Sequence, residues 1–82
     1  MIKCRIVQLK SNHNHIRTSM IEGFCQIKPD IGRSFSMFSR PLDPHQDLRV
    51  FRSSPVKTIR TEEDGLMIFT TENSTYQWRE IL

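Results

Sequence analysis

The chain has 82 residues, 37% of them apolar and 26% charged, with a formal net charge of +3. A chain of this length makes one small domain that buries only about 60% of its unfolded surface, which leaves no room for an enclosed catalytic cavity beside a core. The composition is that of an ordinary folded globule and argues against disorder, and no apolar run approaches the roughly 18 residues of a membrane span.

The N-terminus MIKCRIVQLK alternates apolar with basic residues and lacks a signal-peptide core, so a cytoplasmic location and no membrane partner are expected. Residues 2–9 read as a first strand with Ile2, Cys4 and Ile6 on one face and Lys3 and Arg5 on the other. Val7 and Leu9 then change parity, which a bulge near Val7 or burial on both faces explains. Residues 11–15, SNHNH, form a polar turn. Its His13 and His15 lack the further ligands of a metal site, His45 being the only other histidine, so no metal and no cofactor are expected. Residues 16–27 fit a second strand bent at Gly23, where a small barrel takes a bulge or corner. A helix over 19–27 competes, because Met20, Ile21, Phe24 and Ile27 also fit a 3.6-residue period.

Residues 28–32, KPDIG, make a turn with proline second and glycine last. Residues 33–39 then alternate, with Phe35 and Met37 inward, Ser34 and Ser36 outward, and Phe38 wedged at a barrel end or exposed. Residues 40–47 contain Pro41 and Pro44 and read as a loop, a common place for recognition. Residues 50–61 read as one strand with an irregular point at Ser53-Ser54-Pro55. Pro55 cannot donate to a ladder, which puts that point at an edge or in a sharp bend. The EEDG of residues 62–65 gives a hairpin loop, residues 66–71 the returning strand, and Asn73-Ser74 the next reversal. Residues 75–82 close the chain as a strand with Tyr76 and Trp78 on one face. The last three strands predict an antiparallel meander, and the whole predicts a single all-β domain over residues 1–82, a small antiparallel barrel of about five or six strands.

Catalytic chemistry is not expected. Nucleophilic catalysis needs a nucleophile, an adjacent base and an orienting group, and no local motif ties a histidine to Cys4, Cys25 or a serine. The two cysteines sit in apolar strand contexts without CxxC spacing and read as buried free thiols of a reducing compartment. Charge is distributed unevenly. Lys3, Arg5, Lys10 and Arg17 meet no acid before Glu22, and Arg49, Arg52, Lys57 and Arg60 meet none before Glu62. This predicts a basic side made of Arg5, Arg17, Arg49, Arg52, Lys57 and Arg60, able to contact phosphates or an acidic protein. Phe38, Tyr76 and Trp78 are the candidates for stacking on bases, although Trp78, like Phe35, is large enough to be a core residue.

Three segments, PDIGRSF (29–35), SSPV (53–56) and TENSTY (71–76), together resemble a pattern in small uncharacterised proteins of tailed phages and their bacterial hosts. The resemblance implies a Src-homology-3-like barrel and a phage accessory protein that interferes with a host factor such as a defence nuclease or toxin system. Partners expected on these grounds are nucleic acid, RNA by preference, or a nucleic-acid-associated host complex. A purely protein-directed inhibitor is the alternative. An open strand edge also allows a homodimer.

Overall fold

A computed structural model describes residues 1–11, 20–39 and 49–81. They form one antiparallel sheet of seven strands: β1 (Ile2–Ser11), β2 (Met20–Cys25), β3 (Ser34–Ser39), β4 (Arg49–Pro55), β5 (Thr58–Thr61), β6 (Leu66–Thr70) and β7 (Ser74–Glu80). The order across the sheet is β4-β3-β2-β1-β7-β6-β5. The first strand is therefore central, and two strands that follow one another in sequence, β4 and β5, occupy opposite edges. Among the described residues no helix is long and apolar enough to cross a membrane.

The sheet has to curl, and its interior aromatics show how far. Between β3 and β6 lie three strands, so in a flat sheet the two would stand about 19 Å apart at the usual strand spacing. Yet the rings of Phe35 on β3 and Phe69 on β6 have centroids 5.5 Å apart. Tyr76 on β7 stacks on Phe69 at 5.1 Å and meets Phe51 on β4 edge-on at 5.5 Å. These rings join Cys4, Ile6, Cys25, Met37, Val56 and Trp78 in one buried core. The result is a half-barrel whose concave side is apolar.

Closure happens at one corner. Val56 donates its N–H to the Arg33 carbonyl at 2.9 Å and accepts from Gly32 at 2.8 Å, and Lys57 donates to the Thr70 carbonyl at 2.7 Å. Two consecutive residues thus stitch the turn before β3 to the end of β6. Gly32 adopts φ 88°, a left-handed conformation that suits glycine. Beside the corner the β3–β4 register passes from Ser36↔Arg52 to Ser34↔Pro55, so Ser53 and Ser54 together face Phe35 in a bulge. Buried Ser53 accepts the Phe35 N–H through Oγ at 3.0 Å and donates to the Ser54 carbonyl at 2.8 Å. The segments PDIGRSF and SSPV meet at this corner through Gly32, Arg33, Phe35, Ser53 and Val56, and TENSTY begins just after Thr70, to which Lys57 bonds.

Several expectations are corrected. There are seven strands instead of five or six, because the single strand expected over residues 50–61 is two. Pro55 has no N–H for a ladder, and the chain leaves one edge there and enters the other after Lys57. Gly23 is not a bulge, and the β3 backbone at Phe38 stands where its Cβ would be, the close approach a sharply folded sheet makes. Gly23 pairs in regular register with Cys4, and Ile21, Gly23 and Cys25 all face inward. No helix forms over residues 20–27, and residues 12–19 lie outside the described residues. The irregularity of β1 falls at Leu9, between the pairs Gln8↔Tyr76 and Lys10↔Thr75, two residues beyond Val7. The meander expected at the C-terminal end is present as β5, β6 and β7. Its EEDG loop is a short 3-10 turn with Asp64 at φ 60° and Gly65 at φ 74°.

Candidate nucleic-acid interface

Residues paired across an antiparallel ladder share a face, so the register fixes which side chains stand together on the convex outside. On the central strands Arg5 stands between Glu22 of β2 and Arg79 of β7. Arg5 Nε donates to Glu22 Oε1 at 2.7 Å. The two arginines facing each other line a shallow depression of about 250 Å³ with Val7, Met20 and Gln77. Like charges held opposite one another repel, and an anion between them would relieve that repulsion.

Of the other expected cations, Arg52 projects outward from edge strand β4 beside Ser36. Lys57 follows at the closed corner, and Arg60 lies on the opposite edge strand β5 with Nε 2.7 Å from Glu62 Oε1. Arg49 opens β4, paired with Ser39. Arg17, the three histidines and the Pro41–Pro44 loop lie outside the described residues. The structure thus sets Arg52, Lys57 and Arg60 along one stretch that runs from edge to edge round the corner. Arg5 sits on the middle strand, three strands from either edge.

Ion pairing separates the cations further. Arg5, Arg33 and Arg60 each hold a carboxylate. Lys3, Lys10, Lys28, Arg52, Lys57 and Arg79 are exposed and have no carboxylate partner among the described residues. Lys3, Lys10, Lys28 and Arg79 are additions to the set expected from sequence. Lys3 and Arg79 alternate with inward residues, Cys4 and Trp78, and for these two that pattern was the available signal.

The aromatic candidates divide in the same way. Trp78 is 1% exposed and Tyr76 packs inward, so neither offers a face to a base. Phe38 faces outward and is half-buried against Phe24, with centroids 5.9 Å apart. Inside, the Cys4 and Cys25 sulfurs are 3.6 Å apart as free thiols. Burial pushes the Cys4 thiol up from 9.0 to about 12; Cys25 adds to the rise and the Trp78 indole opposes it. A thiol so strongly protonated is a poor nucleophile at neutral pH. Among the described residues no group of three or more His, Cys, Asp or Glu can hold a metal ion. No family model, curated protein or solved structure matches the chain.

Proposed function

We propose that this is a non-enzymatic, phage-encoded binding module that contacts the phosphates of nucleic acid, RNA by preference, or of a nucleic-acid-associated host complex. The observation that carries this reading is the set of six exposed cations, Lys3, Lys10, Lys28, Arg52, Lys57 and Arg79, without carboxylate partners among the described residues. A cation not committed to an internal ion pair is available to displace counterions from phosphate. Most of these residues stand on strands of one curled sheet, so the backbone that presents them is already ordered and little entropy is lost on binding. Arg5 and Arg60 reach phosphate only in competition with Glu22 and Glu62. The resemblance to small phage proteins directs the reading to interference with a host defence or toxin system, and to a half-barrel of the Src-homology-3-like kind.

The protein, purified free of nucleic acid, is titrated into labelled single-stranded RNA, single-stranded DNA and duplex DNA at two salt concentrations. The reading expects RNA binding that weakens steeply with salt. Absence of binding to all three at low salt refutes it. A protein-directed inhibitor then leads, with the open edge of β4 and its 75%-exposed Val50 as the contact.

A further inference from the structure

The corner that closes the half-barrel also opens a cleft. β2 and β3 pair at Phe24↔Phe38, and beyond that pair the chain bends away at Gln26 and Ile27 toward the turn that must reach Val56. The two strands splay and leave a cavity of about 300 Å³ on the convex face. Met37 lies at its floor, Phe24, Phe38 and Val50 wall it, and Gln26 and Ser36 rim it. The register puts a cation on either side. Lys3 pairs with Phe24 in the row Lys3-Phe24-Phe38-Val50, which crosses β1 to β4, and Arg52 pairs with Ser36 in the next row. Neither has a carboxylate partner among the described residues, while the nearby Glu22 is held by Arg5.

We infer that this cleft is a stacking slot for an unpaired base of single-stranded nucleic acid, with Lys3 and Arg52 on the flanking phosphates. The inference rests on the nucleic-acid reading above and assigns it a subsite. Two half-buried phenyl rings offer an apolar face, Gln26 and Ser36 offer donors and acceptors for a base edge, and the flanking charge matches a polyanion. Aromatic faces between cations are the usual means of holding a single strand. A base within a duplex is stacked on both sides and presents no free face to such a slot. The chemistry therefore selects single strands over duplex.

The test compares an oligouridylate about 12 nucleotides long, within the usual site size of a small barrel, with a strand of equal length built from abasic ribose spacers. The phosphates are the same and only the bases differ. The wild-type protein is expected to bind the oligouridylate about 5- to 150-fold more tightly. Phe24→Leu and Phe38→Leu keep the apolar wall but remove a ring, and should lower oligouridylate affinity toward that of the abasic strand without moving abasic affinity. Equal wild-type affinity for the two strands overturns the slot and leaves phosphate contact standing. So does full base preference in both leucine variants, whose folding is checked by the fluorescence of buried Trp78. No binding of either strand at low salt overturns the slot and the nucleic-acid reading together.

Discussion

Replacing Gly23 with alanine adds one methyl where the β3 backbone closely approaches β2. A Cβ built there overlaps the Phe38 carbonyl oxygen and crowds the Phe38 carbonyl carbon and Ser39 Cα. All three are backbone atoms, so no side chain can swing aside, and β2 must move away from β3. Overpacking of a filled interior costs about 1–3 kcal/mol, and an immovable neighbour argues for the upper end. Alanine restricts the unfolded chain more than glycine does, which offsets roughly 0.4–1 kcal/mol. The net loss is about 2 kcal/mol, and a domain of this size loses roughly 4–8 °C of Tm per kcal/mol, so thermal unfolding followed by circular dichroism should shift down by about 8–16 °C. Gly65→Ala is the control. Gly65 has φ 74° with open space around its Cβ position, so its cost is conformational only, on the order of 1 kcal/mol. If Gly23→Ala melts no lower than Gly65→Ala, the close approach of β2 to β3 is wrong.

Removing the Ser53 hydroxyl strands the Phe35 N–H that it now accepts. Ser53→Ala should therefore cost about 1–3 kcal/mol in urea unfolding, and a loss near zero would mean that the bulge does not depend on this bond. The raised Cys4 thiol makes stability fall in alkali: its folded-state value of about 12 lies above the ordinary 9.0, so the native state holds a proton that the unfolded chain releases. That contribution is complete below pH 9 and is lost progressively as pH rises toward 12, amounting to roughly 2 kcal/mol between pH 9 and 11. Cys4→Ala should remove this part of the alkaline slope; an unchanged difference between pH 9 and 11 would contradict the burial assigned to the thiol.

Local rules made much of the fold legible. The alternation of Phe35 and Met37 with Ser34 and Ser36 reads directly as one buried and one wet face, and the structure buries the first two. Asp64-Gly65 reads as a tight reversal, and both residues adopt positive φ. Pro55 reads as an edge or a sharp bend, and the structure puts it at an edge, although the end of the strand there was not legible. Strand order was not legible, because it depends on pairings between residues far apart in sequence, such as Ser11 with Ser74. Without that order Val50 and Ile59 look like parts of one strand, when they lie on opposite edges of the sheet. The same holds for the candidate site. Alternation puts Lys3, Arg5 and Arg79 outward, but only the register makes Arg5 face Arg79 and Phe24 face Phe38. Which cations are already engaged is likewise non-local: Arg5 finds Glu22 across a strand pair, 17 residues away.

The central claim is that cations without carboxylate partners meet phosphate. It is tested most directly by the slope of log affinity against log salt on single-stranded RNA, for the wild type and for Lys3→Ala/Arg52→Ala/Arg79→Ala. For single strands each phosphate contact contributes about 0.7 to that slope, so losing three contacts should flatten it by about 2. Arg33→Ala, which removes a cation already paired with Asp30, should leave it unchanged. A triple variant that folds and keeps the wild-type slope would contradict the account.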